Sequence, residues 1–142
     1  MQDYFTDERL ARINSAIKTA ETRTSGEIRL YVEDKCKEDV FDHAAFLFGE
    51  LKMHRTELRN GVLFYLAIQD HKFAILGDGG INAKVPEDFW EHIKEAMLAP
   101  FKVGNFAEGL EQGIAMAGKA LAEHFPYQDG DVNELSDEVI VK

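Results

Sequence analysis

Val62-Leu63-Phe64-Tyr65-Leu66-Ala67-Ile68 is apolar at every position, and this run decides the fold. A strand with one wet face alternates apolar and polar residues. A strand apolar throughout reads as central in a sheet covered on both sides. Gln69-Asp70-His71-Lys72 then makes a polar turn, and Phe73-Ala74-Ile75-Leu76 resumes as a strand. So short a connection predicts an antiparallel hairpin. Directly behind it stands Gly77-Asp78-Gly79-Gly80. Three glycines around one carboxylate give a backbone able to take positive φ and to approach a ligand closely.

Upstream, Ile28, Leu30 and Val32 alternate with Arg29, Tyr31 and Glu33 and predict a first strand. A helix precedes it, with Thr6 as N-cap, Asp7 and Glu8 in the first turn, and Leu10, Ile13, Ile17 and Ala20 on one face. Ser25-Gly26 ends that segment, with Gly26 expected as a left-handed cap. Between the two strands, Cys36 to Asp39 reads as a loop. Asp39 is the candidate N-cap of a helix from Val40 to Met53 whose buried stripe is Phe41, Ala44, Ala45, Phe48 and Leu51. Asn60-Gly61 signals a turn.

Downstream, a helix is expected to start at Pro86, to bury Phe89, Trp90, Ile93 and Met97, and to be closed by Pro100. Asn105 with Glu108 resembles a capping box. The last helix carries Leu110, Ile114, Ala117 and Leu121 to about His124, and its Gly109, Gly113 and Gly118 allow close packing against a neighbour. The order is α-β-α-β-β-α-α. A right-handed crossover makes the first two strands parallel, so the expected fold is α/β: a three-layer α/β/α sandwich around a small mixed sheet. One domain is expected over residues 1–126. Residues 127–142 read as an acidic, mobile tail bearing Asp129, Asp131, Glu134, Asp137 and Glu138.

Sixteen basic residues face twenty-six acidic ones, a net charge of −10, which argues against a nucleic-acid partner. Cys36 is the only cysteine, so no internal disulfide forms and a reducing compartment suits the chain. The acidic N-terminus is no signal peptide, and no apolar run reaches the roughly eighteen residues a membrane span needs. The expectation is a soluble, cytoplasmic protein without membrane insertion.

The predicted topology brings Ser25-Gly26-Glu27, Arg59-Asn60-Gly61 and Gly77-Asp78-Gly79-Gly80 to one rim of the sheet. Glu27 and Asp78 then face a glycine-rich loop, and Asn60 or Asn82 adds an amide oxygen. Calcium and magnesium want oxygen ligands of these kinds. The spacing is not that of an EF-hand. The same loop also reads as an anion nest beside a helix N-terminus, and a metal bridging carboxylates and phosphate would join the two readings. Alternatively Asp78 only caps a turn and the glycines only supply positive φ; spacing alone does not separate these. The opposite rim gathers Glu33, Asp34, Asp39 and Asp70, which read as solvated strand ends and caps. The histidines show no zinc spacing, Ser25 has no triad partners, and the glycine run is neither a Rossmann nor a Walker loop.

Ser25-Gly26-Glu27-Ile28, Asn60-Gly61-Val62-Leu63, Gly77-Asp78-Gly79-Gly80-Ile81, Pro100-Phe101 and Phe106-Ala107-Glu108-Gly109-Leu110 stand in an order and spacing that resembles the TPM-domain family. The resemblance covers roughly Thr6 to Pro126. It implies an α/β/α sandwich, divalent-cation binding near the glycine-rich loop, and acid phosphatase activity in some members. By position it makes Asp78, with Gly77 and Gly79, the metal site, and puts Glu27 and Asn60 on its rim. The loop departs from the commoner pattern, in which an aromatic stands between the first glycines. Two functions follow as expectations. One is an accessory module that binds calcium or magnesium and a protein partner. The other is a metal-dependent acid phosphatase, with no catalytic residue, general base or arginine clamp identified and Arg59 the only nearby candidate.

Overall fold

A computed structural model describes residues 4–127 and 139–142. Its elements are α1 (Asp7–Glu21), β1 (Glu27–Glu33), α2 (Val40–Glu50), a 3-10 turn (Met53–Arg55), β2 (Gly61–Ala67), β3 (Lys72–Gly77), α3 (Gly79–Asn82), α4 (Phe89–Lys102), α5 (Phe106–His124) and β4 (Ile140–Val141). The sheet order is β3-β2-β1-β4. β1 and β2 are parallel and β2 and β3 form the antiparallel hairpin. β4, which sequence patterning did not reveal, pairs parallel with β1 through Tyr31 and Ile140. The expected mobility of the tail between these parts concerns residues 128–138, outside the described residues.

Every residue of β2 is buried, and its alternate side chains explain why. Val62, Phe64 and Leu66 join Ile28, Leu30 and Val32 in a core with Ile13 and Ile17 of α1, Ile93 and Met97 of α4, and Leu110, Ile114 and Leu121 of α5. Leu63, Tyr65 and Ala67 face the other way, onto Ala44, Leu47 and Phe48 of α2 and onto Met53. The helices therefore lie on both faces of the mixed sheet, as the sandwich reading requires. The helix glycines pack closely: an added Cβ would come within 2.7 Å of Ala20 at Gly118 and within 2.5 Å of Met97 at Gly113. Among the described residues no helix is long and apolar enough to cross a membrane.

Several local expectations need correction. α1 ends at Glu21 with a right-handed Thr22, and Gly26 has no positive φ. Glycine at 26 allows close packing instead: a Cβ would lie 2.8 Å from the Leu121 side chain of α5, which would have to shift. The turn is held by Thr24, whose hydroxyl accepts from the Gly26 amide at 3.0 Å and contacts the Leu121 and Phe125 carbonyls. α2 stops at Glu50, and only Ala44, Leu47 and Phe48 of it are buried. Ala45 and Phe41 are exposed, because α2 lies against the sheet by one narrow strip.

The last two helices also differ from their readings. Pro86 precedes α4 in a turn, its carbonyl accepting from Phe89. Pro100 lies inside the last turn of α4 and does not close it. The stop is Gly104, at φ +82°. Its amide donates to Phe101 and that of Asn105 to Pro100, the paired bonds of a Schellman cap. Asn105 is thereby spent on ending α4, and its side chain makes no capping bond to α5.

Candidate functional site

The strand register builds the rim. Glu27 pairs with Gly61 across β1 and β2, and Val62 pairs with Gly77 across β2 and β3. The starts of β1 and β2 and the end of β3 therefore meet, as the hairpin topology predicts. Backbone bonds tie the three segments together: Glu27 N–H to Asn60 O at 3.3 Å, Asp78 N–H to Gly61 O at 2.9 Å, and Ile81 N–H to Arg59 O at 3.3 Å. Glu27, Asn60 and Asp78 are only 2%, 1% and 7% exposed.

Asp78 is the N-cap of the short helix α3, which the sequence reading did not foresee, and its Oδ1 accepts from the Gly79 amide at 2.7 Å. Arg59 grips the same carboxylate with both arms of its fork: Nε donates to Oδ2 and Nη2 to Oδ1, each at 2.7 Å. Burial pushes the Asp78 carboxyl up. The Arg59 and Gly79 hydrogen bonds, with the charges of Arg59 and His54, outweigh it and hold the group below the usual carboxylate range. Asp78 is thus an anion at neutral pH.

None of Gly77, Gly79 and Gly80 takes positive φ, which corrects the conformational reading of the loop. Two of them are close approaches instead. A Cβ on Gly80 would lie 2.0 Å from the Leu58 carbonyl oxygen, and one on Gly77 would lie 2.4 Å from the Trp90 ring. Over Gly79 the space is open, with nothing within 4 Å.

The donors on this rim are oxygens. Asn60 Nδ2 reaches Ser25 Oγ at 3.4 Å, while its Oδ1 is buried without a hydrogen-bond partner among the described residues. A buried amide oxygen left so is costly unless something else meets it. The Gly77 carbonyl accepts from Asn82 Nδ2 at 2.8 Å and the Gly79 carbonyl from Ala83, and each keeps a second lone pair. Asn82 is committed to structure, since its Oδ1 accepts from Trp90 Nε1 at 2.7 Å. Among the described residues no three His, Cys, Asp or Glu side chains are arranged to hold a metal. The set at the rim is two carboxylates, one amide oxygen and backbone carbonyls, which suits a hard cation rather than zinc.

Sequence reasoning missed Glu21, buried beside the start of β1, whose Oε2 accepts from the Ile28 amide at 2.8 Å. Its signal was available: it lies four residues after Ile17, on the apolar face of α1. At the other rim, Asp39 caps α2 through the amides of Phe41 and Asp42, and Asp70 accepts from the Cys36 amide at 2.8 Å. Glu33 Oε2 stands between the Tyr65 hydroxyl at 2.6 Å and His43 Nε2 at 2.7 Å, and His43 Nδ1 meets Glu38 at 2.5 Å.

The chain resembles known proteins in both sequence and shape. A family model described as the TPM domain matches residues 1–120. The solution structure of BA42 from the psychrophilic bacterium Bizionia argentinensis is 46% identical, covers 96% of this chain and 94% of that one, and superposes with a TM-score of 0.90. An N-terminal domain of the cg2496 protein from Corynebacterium glutamicum, at 10% identity and TM-score 0.67, covers 91% of this chain and 80% of its own. An N-terminal domain from P. gingivalis, at 18% and 0.67, covers 87% and 82%. These last two share the fold alone. No curated protein matches the chain. A family match over most of its length, and a near-complete relative at 46% identity, place the chain in the TPM-domain family.

Proposed function

We propose that this protein is a cation-binding module of accessory type, taking calcium or magnesium at the rim through Asp78, Glu27 and Asn60, with carbonyl oxygen from Gly77 and Gly79. The observation that carries the proposal is the convergence of three separate segments on one rim, where Glu27, Asn60 and Asp78 are all buried and Asn60 Oδ1 lacks a partner among the described residues. An ion there would supply positive charge to a rim rich in carboxylate and would fasten the three segments to each other. An accessory role follows because binding needs only this set and a recognition surface for a protein partner. Catalysis needs a complete constellation. The test is amide NMR of the whole chain titrated with calcium or magnesium chloride. Shifts should gather at Ser25 to Glu27, Leu58 to Gly61 and Gly77 to Asn82, and should vanish in Asp78→Asn. Unchanged spectra up to about 10 mM, beyond the weakest common protein calcium sites, would sink the proposal.

One observation favours a metal-dependent acid phosphatase as the second reading. Arg59, whose side chain is 55% exposed, stands beside the carboxylates, where it could also meet a phosphomonoester. A phosphomonoesterase assay with calcium, magnesium or manganese decides it. Equal background rates for the wild type and Asp78→Ala would remove this reading and leave the binding module standing.

A further inference from the structure

We infer that Arg59 is a built-in competitor of the cation, its guanidinium holding the Asp78 oxygens that an ion would need, so that the Arg59–Asp78 pair and cation binding exclude one another. The inference rests on the cation site proposed above and adds to it a means of regulation.

The carboxylate is nearly full. Of about four acceptor positions on a carboxylate, Asp78 uses three: two for Arg59 and one for the Gly79 amide. The Gly79 bond belongs to the helix cap and stays. The two Arg59 bonds are those an ion can replace. An ion within bonding distance of either oxygen would also lie against a guanidinium whose nitrogens stand 2.7 Å from the same atoms. Two like charges competing for the lone pairs that Arg59 occupies would repel strongly, so the ion and the guanidinium exclude one another there.

Arg59 is built to be the one that leaves. Its backbone is pinned: φ is +53°, its amide donates to Thr56 O at 3.2 Å, and its carbonyl accepts from Ile81 at 3.3 Å. The loop is pressed so tightly on Gly80 that no Cβ fits there. The Arg59 side chain, in contrast, is 55% exposed, while that of Asp78 is 6% exposed. The arm can therefore rotate into solvent without moving the loop. It leaves Asp78, Asn60 and Glu27 in place. Without an ion, the same arm neutralises a buried carboxylate that would otherwise be costly.

Calcium affinity measured by calorimetry on the full chain, with Arg59→Gln and Arg59→Lys beside the wild type, tests this. Removing the fork should tighten binding about tenfold, the scale of a pair of charge-assisted hydrogen bonds. Lysine keeps the charge and loses the fork, so it should fall between the two. The Arg59 Nε–H resonance of the wild type gives a second readout that no variant can spoil by misfolding. It should shift to a solvent-like position as calcium saturates. If the wild type binds calcium while Arg59→Gln binds equally or more weakly, or the Nε–H resonance stays put at saturation, the competitor is refuted and the cation site survives. If neither wild type nor Arg59→Gln binds, both fall. Binding by Arg59→Gln alone would mean that Arg59 keeps the site closed in the wild type: the competitor stands, and the wild type's cation-binding role falls.

Discussion

The two rims of the sheet both carry acids and have opposite character. At the rim where β1 and β2 end, the local fold uses the carboxylates up. Asp39 caps a helix, Asp70 holds the amide of Cys36, and Glu33 is shared between Tyr65 and His43. At the rim where they begin, Glu27, Asn60 and Asp78 arrive from three segments, Asn60 Oδ1 meets no hydrogen-bond partner among the described residues, and the group closing Asp78 is an exposed arginine. A cluster of acids thus says little about binding. What matters is whether the partners that satisfy those acids are fixed by the backbone or can leave.

The sharpest way to break this comparison is at Gly80, where the rim depends on contact between two backbones. In Gly80→Ala the new Cβ would meet carbonyl oxygens at 2.0 and 2.5 Å, and neither is the end of a flexible side chain. The loop must move, at about 3 kcal/mol of stability, the upper range for overpacking. Urea denaturation measures it, and a loss below about 1 kcal/mol would mean the two loops are not pressed together at Gly80 in solution. At the opposite rim the corresponding change is Tyr65→Phe, which removes one hydroxyl and leaves the ring packed. It should cost about 1 kcal/mol by the same measurement.

That hydroxyl also separates the rims by pH. Burial first, and then the bond to Glu33, push the Tyr65 phenol far up from its ordinary value. Its ultraviolet signal should therefore stay that of a phenol past pH 10, until the fold itself gives way. A raised value stabilises the fold below the unfolded tyrosine's pKa and loses that contribution as pH climbs above it. Asp78 acts at the other end of the scale. Its carboxyl is held below the ordinary 3.8, so its contribution is present above about pH 4 and is lost as pH falls through the lowered value. Asp78→Asn should flatten the acid limb of the stability curve and leave the alkaline limb unchanged. An acid limb that keeps its slope in this variant would mean Arg59 does not hold the carboxylate in solution.

The sequence made much of this arrangement readable, for a reason specific to β2. A strand apolar on both faces must be central. A central strand joined by a short turn to the next, and through a helix to the one before, places Glu27, Asn60 and Asp78 together with no knowledge of side chains. What escaped depended on contacts across the chain. Gly80 and Gly26 look like turn residues until the Leu58 carbonyl and the Leu121 side chain are seen against them. Pro100 looks like a stop until the carbonyls around it find Gly104 and Asn105. Arg59 was visible only as a nearby charge, because its grip on Asp78 depends on a positive-φ backbone that its residue type does not suggest.

The smallest effect is expected at Gly79, and it bears most directly on the ligand. No atom outside the loop's own chain neighbours would meet a Cβ there, φ is not positive, and the residue opens a helix. Gly79→Ala should therefore be neutral or stabilise by about 0.4–1 kcal/mol, through lost freedom of the unfolded chain. The fold alone gives no reason to forbid the methyl group. A ligand over the loop would give one, since the methyl would occupy the space through which an ion and its waters reach the Asp78 oxygens. A variant that melts later and yet loses the calcium-induced amide shifts would place the approach path above Gly79. A variant that keeps both would put the path on the Glu27 side of the rim.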